Sequence, residues 1–246
     1  MTGRSLLQER RAAPAVPKVR EVALEIIVTR FRHDVSRSSR MKPFYDRSEA
    51  ERIALTERAI SQGGSLLERW SALADREASS WNARASAAGE WLAGENGVLD
   101  MGCGTMALEQ FIDDAQYFPC DICARDFRTI VCDLNKHPVP IVQATAVASL
   151  GLLEYVHDPR DLMRSLCRLY ETAVVSYCTA DAPVPLVPRK AHAWVNDFTC
   201  SEIEELFLDT GWAIADFRQL DDVQGLWKLN SLCVRDTKSL IQNSSA

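Results

Sequence analysis

Residues 98–109 read VLDMGCGTMALE, an apolar run that carries one carboxylate, Asp100, into two closely spaced glycines, Gly102 and Gly104. The apolar run has the character of a buried strand. Glycines directly after it permit positive φ and let a backbone come close to a bound molecule.

Downstream of this turn the pattern alternates. It predicts a strand over 98–102, a helix over 106–115, and strands over 117–122, 129–134 and 146–156. A helix over 160–170, a strand over 173–178, a helix over 201–212 and two closing strands, 213–220 and 226–236, follow. Repeated strand-helix-strand units imply an α/β chain whose sheet is mostly parallel, with helices on both faces and a terminal hairpin. Upstream, residues 48–92 have helical spacing, with Leu66, Leu67, Trp70, Leu73, Trp81 and Trp91 on the apolar stripe and Gly63–Gly64 and Gly94 as punctuation. The organisation expected is a basic head over 1–45, a helical lid over 46–96, a Rossmann-like domain over 97–236 and a short tail over 237–246.

Charge separates head from body. Residues 1–42 hold ten Lys/Arg and four Asp/Glu, a net of +6, against −6 for the whole chain of 246 residues, so the body is strongly acidic. An acidic body disfavours a nucleic-acid groove, which needs clustered Lys and Arg. The early apolar stretch VALEIIV is broken by Glu25 and far too short to span a bilayer. Eight cysteines scattered through apolar runs read as buried free thiols, which points to a soluble, cytoplasmic protein. Cys120 and Cys123 form a CxxC without a second ligand pair, so no metal is expected.

Two ligands use a turn such as GCGTMA. A dinucleotide presents an anionic pyrophosphate, and Asp100 would sit close to like charge. S-adenosylmethionine brings an ammonium and a sulfonium and no phosphate, so the same carboxylate attracts it. Asp100 thus favours S-adenosylmethionine as the cofactor and leaves an NAD-dependent oxidoreductase as the weaker alternative.

Five ordered pieces, VLDMGCG, YFPCDI, TIVCDLN, ASLGLLEYVHD and FTCSEIEELFLDTGW, resemble the class I S-adenosylmethionine-dependent methyltransferases over about residues 90–235. The likeness is closer to bacterial small-molecule enzymes of the LxEHxxD type than to the nucleic-acid enzymes, whose N/D-P-P-Y stretch is absent. The resemblance implies a Rossmann-like sheet of seven strands with the last antiparallel, preceded by an N-terminal helical extension. It implies that Gly102, Cys103 and Gly104 cradle the methionyl moiety, with Asp100 toward the ammonium and Arg84 toward the carboxylate. Asp121, at the end of the second strand, would take the ribose hydroxyls. Asp133 and Leu134 would contact adenine, and Leu150 would line the site from the fourth strand. Glu154 and His157 are the titratable residues where the acceptor should lie, and His157 is the candidate base.

This likeness has departures. Met106 stands where many members have a third glycine, and Tyr155 stands where many carry the histidine after the glutamate. A non-catalytic binding or assembly protein with the same fold is therefore the other alternative. The acceptor is expected to be a small molecule, selected by the long segment 181–199, where Arg189, His192, Trp194 and Asn196 are the polar and aromatic groups available. The oligomeric state is not legible.

Overall fold

The computed structural model describes residues 42–233, apart from 72, 74, 113–115 and 183–187 and the side chains of 75–80. Residues 1–41 of the basic head, with the stretch VALEIIV, and the tail over 237–246 lie outside the described residues.

Seven strands build one sheet: β1 (Val98–Met101), β2 (Tyr117–Asp121), β3 (Ile130–Val131), β4 (Ala146–Leu150), β5 (Thr172–Cys178), β6 (Trp212–Gln219) and β7 (Gln224–Ser231). Their order is β3-β2-β1-β4-β5-β7-β6. β1 to β5 pair in parallel, whereas β7 runs antiparallel to both β5 and β6. The seven-stranded sheet with its last strand antiparallel is as expected.

Five helices accompany it among the described residues: α1 (Glu49–Gln62), α2 (Leu67–Trp70), α3 (Asp75–Leu92), α4 (Pro159–Leu169) and α5 (Cys200–Asp209). Their ends obey local chemistry. Ser48 and Glu51 close a capping box on α1, as Thr199 and Glu202 do on α5, and Gly63 ends α1 in the left-handed region at φ 58°.

Strand alternation divides the core between the two faces of the sheet. Leu99, Met101, Val147, Val175, Tyr177 and Trp227 face α4 and α5, packing on Leu166, Ile203 and Phe207. Val98, Ala146, Ala148, Val174 and Leu226 face α3, whose Ala85, Ala88 and Leu92 let the helix lie close to the sheet. Truncating fully buried Leu92 to alanine would cost about 2–5 kcal/mol. Asp100 shares this second face with Val98, which is how a carboxylate comes to be buried beneath α3.

Four sequence expectations need correction. Of the helix expected over 106–115, the described residues 106–112 hold a 3-10 segment, Ala107–Phe111, preceded by Met106 in a left-handed backbone at φ 60°. The strand expected to run to 156 stops at Leu150: Gly151 turns at φ 68° and Leu153–Tyr155 forms a 3-10 turn. The lid helix is interrupted after Trp70, whose carbonyl accepts a hydrogen bond from Arg125 Nη1 at 2.9 Å. Finally, the cysteines are not all free thiols. Cys167 of α4 and Cys233 beyond β7 lie with Cα atoms 5.9 Å apart and are bonded, while Cys103, Cys120, Cys123, Cys132, Cys178 and Cys200 are free.

Candidate active site

The carboxyl ends of β1, β2 and β4 open onto two adjoining cavities that share Trp70, Gly102, Gly151 and Tyr155. The glycine turn lies between them. Gly102 and Cys103 donate their backbone N–H groups to the Cys120 carbonyl at 2.8 and 3.0 Å, which fixes the turn against β2. A β-carbon on Gly104 would stand 2.8 Å from the Trp81 ring, so this position tolerates no side chain while Trp81 packs there.

The narrower cavity, about 70 Å³, is lined by Asp121, Ile122, Asp133, Leu134 and Leu152, and by Gly64–Leu66 of the lid. Its polar groups already have protein partners. Asp121 Oδ2 accepts from Gly104 N–H at 2.9 Å, and Oδ1 accepts from Cys123 N–H and Arg125 Nη2, each at 2.9 Å. Asp133 Oδ1 accepts from Ser65 Oγ at 2.6 Å, and its other oxygen pairs with Lys136 at 2.8 Å. Asn135 donates to Ser65 Oγ at 2.8 Å and to the Tyr155 carbonyl at 2.9 Å. The lid segment is thereby tied across the groove that the sequence assigned to an adenosyl group.

The wider cavity, about 360 Å³, brings together Arg84, Asp100, Gly102, Cys103, Leu150 and Glu154. Asp100 accepts a hydrogen bond from Tyr117 at 2.7 Å, and burial pushes its pKa up to about 7 despite that bond. Glu154 Oε1 accepts from Cys178 N–H at 3.0 Å, but Oε2 is buried without a partner. Burial raises Glu154 as well. Arg84, on α3, makes no hydrogen bond among the described residues; its buried Nε is unpartnered and its guanidinium lies 5.6 Å from the Trp81 ring centroid. Burial lowers its pKa, with Glu154 the largest opposing charge. Two opposite charges thus face one cavity without satisfying each other.

His157 lies elsewhere. Its Nε2–H donates to the Gly64 carbonyl at 3.0 Å, its backbone N–H donates to Asn135, and it borders a separate cavity beside His137 and Asp161. The structure therefore separates His157 from Glu154, with which the sequence grouped it. The side chain is engaged in holding the lid.

The segment after β5 also divides. Arg189 spends its donors on Asp197, the Cys178 carbonyl and Tyr177. Asn196 donates to the Leu153 and Val156 carbonyls at 2.7 and 3.0 Å, bracing the turn that carries Glu154. His192 and Trp194, by contrast, line the wider cavity, as do Arg69 and Trp70 from the lid and Tyr45 just ahead of it. Sequence reading left Tyr45 and Arg69 without a role. Their only signal was an aromatic just ahead of the helical lid and a cation beside Trp70 within it. Among the described residues no group of three or more His, Cys, Asp or Glu is placed to hold a metal, and the CxxC cysteines remain free.

No protein-family model matches the sequence, and no curated protein does. Solved structures do match. The Burkholderia thailandensis 1,6-didemethyltoxoflavin-N1-methyltransferase, solved with 1,6-didemethyltoxoflavin and S-adenosylhomocysteine, is 14% identical, with a TM-score of 0.50 over 91% of this chain and 94% of that one. A putative Haloferax volcanii methyltransferase, solved with the Trm112 methyltransferase activator, is 15% identical, with a TM-score of 0.52 over 65% and 95%. Human N-acetylserotonin methyltransferase, solved with S-adenosylmethionine, is 15% identical at a TM-score of 0.48; the likeness covers 76% of this chain but only 57% of the human one. With its strand order and glycine turn, the chain has the fold of the class I S-adenosylmethionine-dependent methyltransferases.

Proposed function

We propose that this protein binds S-adenosylmethionine and transfers its methyl group to a small-molecule acceptor. The observation that carries the reading is the pair of buried, unreconciled charges behind the glycine turn. Glu154 Oε2 and the Arg84 guanidinium face one cavity without a bond between them, with Asp100 alongside. An amino-acid zwitterion would satisfy all three, its carboxylate on Arg84 and its ammonium between the carboxyl groups. Gly102, Cys103 and Gly104 allow its close approach, and Leu150 supplies an apolar wall. A pyrophosphate would meet two carboxyl groups here, which disfavours NAD.

The adenosyl part fits chemically, with Ile122 and Leu134 as apolar walls and Asp121 and Asp133 as acceptors. It requires the Gly64–Leu66 segment to withdraw, since a cleft of about 70 Å³ is far smaller than a nucleoside. When bound, the cofactor supplies an electrophilic methyl group on a sulfonium. The chain's own work is then alignment of the acceptor, exclusion of water by the lid, and removal of a proton.

Titration calorimetry with S-adenosylhomocysteine and, separately, NAD tests the cofactor. Binding of the first and not the second is expected, and the reverse would overturn the reading. The non-catalytic alternative draws on the Asp121–Arg125 ion pair, which already occupies one oxygen of the expected ribose acceptor. Turnover with an identified acceptor excludes it.

A further inference from the structure

The wider cavity has two chemically different ends. Asp100, Arg84 and Glu154 surround the glycine turn, while Tyr45, Arg69, Trp70, His192 and Trp194 wall the outer part. Flat rings dominate that outer wall. Arg69 lies 4.5 Å from the Tyr45 ring centroid and 4.4 Å from that of Trp70, so its charge is spread against aromatic faces. His192 stacks on Trp194 with ring centroids 5.1 Å apart at 33°. Around His192 the cations Arg52 of α1, Arg69 of α2 and Arg189 of its own turn outnumber the acidic Glu49. The outer end is aromatic and electropositive, and the carboxyl groups belong to the inner one.

Resting on the methyl-transfer reading above, we propose that the outer end holds a planar aromatic hydroxy acid. Its ring lies against Trp70 and Trp194, its carboxylate faces Arg69, and His192 takes the proton of the hydroxyl that is methylated.

The imidazole suits that task. Its Nδ1 lies 3.4 Å from Tyr45 Oη, which leaves Nε2 for the acceptor. Burial and the three arginines hold its pKa below the ordinary histidine value, so it is uncharged and able to accept a proton at neutral pH. A phenolic hydroxyl, with a pKa of about 10, is within reach of such a base, whereas an aliphatic alcohol is much less acidic. In the balanced step the hydroxyl oxygen forms the new bond to carbon, the sulfur–methyl bond breaks with its electron pair left on sulfur, and the proton passes to His192 and on to water. Arg69 is not short of partners; what it adds is a positive charge on an aromatic wall. The Lys190–Glu57 ion pair at 3.1 Å and the Thr56 Oγ1 bond to the Lys190 carbonyl at 2.7 Å clamp α1 onto the turn that carries His192, so the lid and this segment shape one pocket together.

The test uses the full chain saturated with S-adenosylhomocysteine and follows tryptophan fluorescence and calorimetry. The probes are 4-hydroxybenzoate and a hydroxyquinoline carboxylate, with 4-hydroxycyclohexane carboxylate and 4-(aminomethyl)phenol as controls. The aromatic acids should bind at least about tenfold more tightly than either control, and Arg69→Gln should erase that preference without changing S-adenosylhomocysteine affinity. With S-adenosylmethionine in place of S-adenosylhomocysteine, the wild type should methylate the hydroxyl of the bound hydroxyquinoline at neutral pH. His192→Gln, and His192→Asn as a second variant, should keep its binding but lose at least about tenfold of the methyl-transfer rate at neutral pH, recovering part of it at high pH where the phenol ionises unaided. If S-adenosylhomocysteine binds and the aromatic acids do not, or the controls bind equally, the acceptor proposal is wrong while the methyl-transfer reading stands. If the methyl-transfer rate and its pH dependence are unchanged in both His192 variants, His192 is not the base. If S-adenosylhomocysteine itself does not bind, the underlying reading fails first.

Discussion

The guanidinium of Arg84 occupies the space that a side chain on Gly151 would need: a β-carbon there would stand 2.6 Å from Arg84 Nη1. Gly151 also holds φ 68°, in the left-handed region. One residue after β4 therefore seats an arginine from α3 over the cavity.

Gly151→Ala should consequently weaken S-adenosylhomocysteine binding by displacing Arg84, in addition to a strain of about 1–2 kcal/mol in the fold. Arg84→Ala alone should weaken binding by about 1.5–3 kcal/mol, the range for a hydrogen bond to a charged group. In the double mutant the binding losses should not add. Additive losses, measured by calorimetry, would show that Gly151 and Arg84 act independently.

Decarboxylated S-adenosylmethionine separates the two ends of the zwitterion. The wild type should prefer the intact cofactor by about tenfold or more, and Arg84→Ala should lose most of that preference. An unchanged preference would assign the carboxylate to another donor.

Asp100 gives stability a pH dependence of definite sign. Its pKa is raised in the fold to about 7, chiefly by burial, while the unfolded chain has an ordinary carboxylate. The folded state thus binds the extra proton between those values, so this group's contribution to stability falls as pH rises from about 4 to 7. Asp100→Asn should therefore gain stability relative to wild type over that window, on the order of a few kcal/mol, in urea unfolding at several pH values. A constant difference would mean that Asp100 is ionised throughout. An ammonium bound beside it would also expel the proton, so S-adenosylhomocysteine binding near pH 6 should show a buffer-dependent enthalpy.

Met106 pays for its left-handed backbone at φ 60°. Met106→Gly should be more stable than Met106→Ala by about 1 kcal/mol, because both lose the side chain's packing and only glycine relieves the strain. Equal stabilities would place the residue in an unstrained conformation.

Asn135 ties the lid to the sheet through Ser65, the Tyr155 carbonyl and the His157 N–H. Asn135→Ala should lower stability by about 1–3 kcal/mol. It should also raise the association rate of S-adenosylhomocysteine in stopped-flow fluorescence, if withdrawal of Gly64–Leu66 precedes binding. A slower rate would instead make the lid part of the preformed site.

The sequence by itself determined the sheet and the position of the turn. The apolar period of β1, β4 and β5 and the glycines after Asp100 are local properties, and parallel connections leave few ways to assemble them. It also offered Arg84, Asp100 and Glu154 as candidates, from their places beside the glycine turn and after the fourth strand. Only the tertiary structure decided which of them meet. His157 lies three residues beyond Glu154, yet the 3-10 turn at Leu153–Tyr155 sends the two to different cavities. Conversely Tyr45, Arg69 and His192 are far apart in the chain and join one wall because α1 packs on the turn Arg189–His192. Periodicity reports which face of an element is buried; it carries no information about which distant side chains close over a cavity, because that depends on how separate elements dock.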